Sequence, residues 1–135
     1  MTAATTCARD FAPCAMMRIS INRLGIRALV GVYEAELSSP QTVFADISLE
    51  ADTDESARSD DLGDTIDYAA LADSILLATG NGRVFHLIEF LAGEIARACI
   101  GFDRRIAKAA VTVEKPSALA GRADSASVTV SATRG

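Results

Sequence analysis

The chain has 135 residues, half of them hydrophobic, which is enough for one compact domain whose core needs no disulfide or metal staples. A formal charge of −5 and a sequence pI near 4.8 exclude a surface built to neutralise nucleic-acid phosphates, which takes clustered Lys and Arg. Three scattered cysteines, Cys7, Cys14 and Cys99, fit neither a disulfide framework nor the paired spacing of a structural zinc site, and point to a reducing cytoplasm.

Residues 1–16 mix small and polar residues without a period and are expected to be a flexible tail ahead of a single domain over 17–135. They lack the basic start and apolar run of a signal peptide, and no segment reaches the length of a membrane-spanning helix, so neither secretion nor a membrane partner is expected. From Arg18 the apolar positions alternate through Ile19 and Ile21, then resume in the opposite phase at Leu24, Ile26, Ala28, Val30 and Val32. That switch near Gly25 predicts a bulged or bent strand. Val43, Ala45, Ile47, Leu49 and Ala51 alternate with polar or larger neighbours as a second strand with one wet face. Turn residues Ser38, Ser39 and Pro40 make the two strands an antiparallel pair.

From Thr53 to Asp67 the chain is acidic and unpatterned. Asp67 is a candidate N-cap for a first helix that puts Tyr68, Leu71, Ala72 and Ile75 on one stripe, and Gly80-Asn81-Gly82 ends it. A second helix is predicted with Val84, Leu87, Ile88, Leu91, Ala92 and Ile95 on its apolar face. Val111 and Val113, then Ala126, Val128, Val130 and Ala132, mark two closing strands. The predicted class is α+β, in the order ββααββ, with a four-stranded antiparallel sheet carrying both helices on one face. Such a sheet has two open edges, which neighbouring subunits can close by forming an oligomeric barrel.

Five segments, in this order, carry a resemblance: GVYEAELSSPQ (31–41), the D-x-x-L-E pattern that starts at Asp46, SDDLGDTIDY (59–68), HLIEFLAGEIA (86–96) and VTVEKPSAL (111–119). Together they resemble the dihydroneopterin aldolase family over roughly residues 18–131. The resemblance implies the tunnelling fold, in which four subunits join their sheets into a ring and two rings stack into an octamer, with active sites between adjacent subunits. It also implies a pterin substrate, 7,8-dihydroneopterin, cleaved by a retro-aldol reaction of folate biosynthesis to 6-hydroxymethyl-7,8-dihydropterin and glycolaldehyde. The pterin's own N5 imine takes up the electrons, so no cofactor, no metal and no Schiff base are implied. A chain with one histidine also departs from the related pyruvoyl-tetrahydropterin synthases, which use a three-histidine zinc site.

Lys115 is in phase with Val111 and Val113, so its stem is expected on the apolar face, where desolvation favours the neutral amine that a base needs. By pattern alone a strand-end lysine reaching to water is the commoner case. The resemblance assigns it the catalytic role. Glu89 flanks the apolar stripe of the second helix, where a carboxylate is usually solvated or paired with a surface arginine. The HLIE match makes it the anchor for the pterin's N3–H and 2-amino group, with the Ile88 backbone contributing. Tyr68 reads either as a core tyrosine or, by resemblance, as the ring that packs on the pterin, with Ile66 offering backbone contacts. Glu36, otherwise a solvated loop residue, matches the glutamate beside the substrate's hydroxyls. Tyr68 and Glu36 are both expected to face the Lys115 and Glu89 of a neighbouring subunit.

His86 is assigned to helix-start structure or a peripheral contact, and Cys99 to the core. Asp60, Asp61 and Asp64 are read as loop or helix-dipole groups, since no neighbours complete a metal site. The alternatives are a dihydroneopterin triphosphate epimerase, which shares the bond-opening step, and a non-catalytic pterin-binding member of the fold.

Overall fold

The computed structural model describes residues 16–135, so the expected tail lies, apart from Met16, outside the described residues, as do Cys7 and Cys14. The elements are β1 (Met17–Val30), α1 (Glu34–Leu37), β2 (Gln41–Ala51), α2 (Ser56–Ser59), a 3-10 turn (Leu62–Asp64), α3 (Tyr68–Thr79), β3 (Val84–Phe85), α4 (Ile88–Phe102), β4 (Ile106–Lys115) and β5 (Ala126–Thr133). They form one sheet in the order β3-β1-β2-β4-β5. The α+β class and the antiparallel β1-β2-β4-β5 core match the sequence reading. The strand count does not: a fifth, parallel strand pairs Val84 and Phe85 with Leu29 and Val30.

That strand corrects the start of the second helix, which begins at Ile88 rather than Val84. Val84 and Leu87 fit a helical stripe by spacing, but a two-residue strand has no period that spacing can detect. The turn before it, with Asn81 and Gly82 at φ of 59° and 76°, sends the chain back beside β1 instead of straight into a helix. Two one-turn helices, α1 and α2, likewise stand where the sequence showed turn and acidic residues.

The alternation in β2 is realised in full, with Val43, Ala45, Ile47, Leu49 and Ala51 all buried. They pack with Ala109, Val111 and Val113 of β4, Leu71 and Ile75 of α3, and Leu91, Ile95 and Cys99 of α4 in one core. Both long helices cover this face, and the other face carries Asp46, Ser48, Glu50, Thr112 and Glu114. Burial pushes the Cys99 thiol up to about 12, which leaves it a small hydrophobe without reactive thiolate. No helix among the described residues is long and apolar enough to cross a membrane.

The phase switch in β1 is a bulge at Asn22–Arg23. Ile21 pairs with Ile47 and Leu24 with Ala45, so β1 holds one extra residue there. Arg23 adopts a φ of 58°, and its N–H, lost to the ladder, donates to Asp46 Oδ1 at 2.7 Å. The first residue of the D-x-x-L-E pattern is thus a bulge holder. The Arg23 guanidinium also bonds Glu114 at 2.9 Å and lies 3.9 Å from the centroid of the Phe44 ring.

The acidic segment before α3 is ordered by its own carboxylates. Asp61 accepts from the Gly63 N–H at 2.9 Å, and Asp67 caps α3 by accepting from the Ala70 N–H at 3.0 Å. Arg105, braced by Asp103 at 2.7 Å, donates to the Gly63 and Thr65 carbonyls at 3.1 and 2.9 Å. Arg105→Ala frees both carbonyls; amide exchange should accelerate across residues 62–66, measured by mass spectrometry, while β2 and β4 stay protected.

Candidate active site

Lys115 ends β4 on the helix-covered face, its side chain only 13% exposed, and its Nζ donates to Glu36 Oε2 at 2.5 Å. Glu36 reaches it because β1 stops at Gly31 and the chain folds through α1. The other carboxylate oxygen, Oε1, accepts from the Val32 and Tyr33 N–H groups at 3.2 and 3.4 Å. Gly31 sits at φ 148°, and a Cβ there would lie 2.2 Å from Glu36 Oε1, so a side chain at 31 displaces the carboxylate.

Gly31 is held from both ends. Its N–H donates to the Phe85 carbonyl at 2.9 Å, and its carbonyl lies 3.2 Å from His86 Nδ1. Just before it, the Val30 carbonyl accepts from Gln41 Nε2 at 2.8 Å, and Gln41 Oε1 accepts from Ser117 Oγ at 3.2 Å. The short β3 therefore fixes the backbone under Glu36, and Gln41 ties that backbone to the turn after Lys115.

Gly31, Glu36 and Lys115 wall a cavity of about 250 Å³, completed by His86 and by Ile88 and Glu89 of the first turn of α4, with Tyr33 at its rim. Leu87 offers α4 no side-chain cap, so the cavity meets a helix start whose first N–H groups have no intrahelical partner. A hollow of about 290 Å³ between α3 and α4 lies apart from these groups, and its Arg83 and Arg97 both pair with Glu94, at 3.0 and 2.6 Å. Among the described residues no set of His, Cys, Asp or Glu is placed to hold a metal ion.

The structure brings Lys115, Glu36, Ile88 and Glu89 together within one chain. For Glu36 this is a correction: it meets the Lys115 of its own chain, because the turn at Gly31 folds it back over β4. Tyr68 and Ile66 do not reach this cavity. Ile66 is buried at 1% exposure in the core, whereas Tyr68, at the start of α3, is 60% exposed and so is no core tyrosine. The buried stripe of α3 is Leu71, Ile75 and Thr79. His86, read as peripheral, lies on the cavity wall. Gly31 was missed as a positioning residue, although a glycine between Val30 and Val32 at the end of a strand was a visible signal.

The family model for dihydroneopterin aldolase (FolB) matches residues 19–131, nearly all of the described chain. The chain belongs to the dihydroneopterin aldolase family. A dihydroneopterin aldolase of Methylorubrum extorquens is 39% identical over 75% of this chain and 77% of its own length, and one from Streptomyces coelicolor is 34% identical over 76% and 85%. The crystal structure of the Escherichia coli dihydroneopterin aldolase in complex with neopterin superposes with a TM-score of 0.79 at 28% identity, covering 88% of this chain and 99% of that one. The chain is an enzyme, and its function is that of a dihydroneopterin aldolase in folate biosynthesis.

In this aldolase the Lys115 ammonium, hydrogen-bonded to Glu36, holds the glutamate's carboxyl below the ordinary carboxylate range; partial burial opposes this, and the Tyr33 and Val32 N–H groups add to it. A lowered carboxyl pKa contributes stability that is complete above the ordinary carboxylate value and is lost as the pH falls through the lowered one. The Tm difference between the wild type and Glu36→Gln should therefore be largest at neutral pH and shrink in acid, as thermal melts across pH will show.

Proposed function

We propose that this chain cleaves 7,8-dihydroneopterin by a retro-aldol reaction to 6-hydroxymethyl-7,8-dihydropterin and glycolaldehyde, with Lys115 as the proton-transfer residue. The observation that carries the assignment is the Lys115–Glu36 pair set in a cavity that Glu89 also lines. Before turnover the Lys115 ammonium gives its proton to water, and the amine so formed takes the proton of the 2′-hydroxyl. The C1′–C2′ bond then breaks, its electron pair runs through C6 to N5, which takes a proton from water, and C2′ leaves as the carbonyl of glycolaldehyde. Glu36 stabilises the ammonium so formed, which returns a proton to C1′ of the enamine, while N5 gives up its own to restore the imine. Glu36 also orders water beside the hydroxyls.

Glu89 accepts the pterin's N3–H and 2-amino group as paired charge-assisted bonds, and the Ile88 backbone at the open helix start adds to that grip. Tyr68 and the Ile66 backbone come from the adjacent subunit, where the tyrosine ring covers the pterin face. That arrangement accords with an exposed Tyr68 and with outer edges of β1 and β5 that are mostly unpaired among the described residues, which adjacent subunits join into a tetrameric ring and a stacked octamer. A cytoplasmic location fits the free, buried Cys99. Reclosing the C1′–C2′ bond on the other face of glycolaldehyde would add epimerisation as a side activity.

Purified enzyme should release glycolaldehyde from 7,8-dihydroneopterin without added metal or cofactor, and Lys115→Ala should lower kcat by about 10²- to 10⁴-fold while pterin affinity changes little. Intact binding with no release by the wild type would favour a non-catalytic pterin binder. Co-assembled Tyr68→Ala and Lys115→Ala subunits should regain activity at roughly a quarter of sites, as random mixing across a shared interface requires. Activity no higher than the sum of the two variants alone would place Tyr68 and Lys115 in separate roles.

A further inference from the structure

His86 is the single histidine of the chain, and the reaction as proposed gives it no task. It nevertheless lies on the cavity wall with Glu36, Lys115 and Glu89. Its Nδ1 is 3.2 Å from the Gly31 carbonyl oxygen. A carbonyl only accepts, so Nδ1 carries the proton, and in the neutral imidazole Nε2 is then an acceptor with its lone pair free. Gly31 is also the residue whose Cα lies against the Glu36 carboxylate. The ring is therefore tethered to Gly31, in the cavity that the Glu36–Lys115 pair also lines.

We infer that His86 binds the hydroxylated side chain of the substrate, accepting a hydrogen bond at Nε2 from the part that departs as glycolaldehyde. The inference rests on the dihydroneopterin reading and deepens it. The substrate's polyol needs acceptors, and the carboxylates near it have other partners: Glu36 Oε2 takes Lys115, and its Oε1 takes two backbone N–H groups. A neutral acceptor beside that pair can orient a side-chain hydroxyl without competing for the proton that Lys115 removes. His86 is thus a binding residue for the leaving fragment, distinct from the pterin anchor Glu89.

The test titrates the assembled enzyme, by fluorescence, with neopterin and with 6-hydroxymethylpterin, unreactive pterins that differ only in the carbons lost on cleavage. His86→Asn keeps an amide N–H near Nδ1 for the Gly31 carbonyl and removes Nε2. It should weaken neopterin binding by about three- to tenfold, the share of one hydrogen bond, and leave 6-hydroxymethylpterin unchanged. His86→Gln, whose longer amide reaches toward the Nε2 position, should recover part of the loss. Equal weakening of both ligands, or wild-type binding of both, overturns the role of His86. A wild type that binds neither pterin and releases no glycolaldehyde overturns the parent reading with it, whereas a competent wild type beside an unaffected His86→Asn refutes His86 alone.

Discussion

The bond between Lys115 and Glu36 joins residues 79 positions apart, and much of the surrounding structure serves to make it possible. A lysine left 13% exposed at the end of an apolar strand face is tolerable only with a counter-charge in contact and its remaining capacity satisfied. The counter-charge arrives on a one-turn helix, too short to hold itself by helical hydrogen bonding. Its position is set instead by the backbone before it. Gly31 turns the chain, admits the carboxylate against its Cα, and is itself gripped by Phe85 and His86. The two-residue β3 has little worth as a strand, but as the brace under Glu36 it decides where the carboxylate meets the amine.

What could be read from the sequence follows from how much of each pattern is local. β2, β4 and β5 were legible because each has one wet and one packed face, a contrast that period-2 alternation records directly. The break in β1 was legible as a phase change, but its position needed the partner strand, because it is Asp46 that receives the Arg23 N–H. β3 was illegible for want of length. Tyr68 looked like part of the α3 stripe because it stands three residues before Leu71, but the buried stripe runs on to Thr79, a polar residue that spends its hydroxyl on the Ile75 carbonyl at 2.8 Å.

At the site the same division holds. The phase of Lys115 and the place of Glu89 beside the apolar stripe of the second helix are local facts, and both survive in three dimensions. That Glu36 would bond the lysine of its own chain depends on a turn at one glycine and on the register of β4 against β2, neither of which a sequence spacing encodes. His86 was set aside for a similar reason: its importance comes from a contact with Gly31, across 55 positions of sequence.

One chain supplies the polar groups of a pterin site and little of the apolar cover that a flat heterocycle needs, since Tyr33 at the rim is 72% exposed. Meanwhile Tyr68 is presented to solvent from a segment that is fixed unusually well, with Ile66 buried before it, Asp67 capping its helix and Arg105 holding two carbonyls of its loop. Order of that kind around an exposed aromatic has a use if another surface receives the ring. The sheet presents the complementary need. Among the described residues β3 covers only Leu29 and Val30, and no strand pairs with the outer edge of β1 from Met17 to Ala28 or with the outer edge of β5. Joining β5 of one subunit to β1 of the next satisfies both edges at once, and in the proposed ring the same contact carries Tyr68 to the cavity that lacks an aromatic wall.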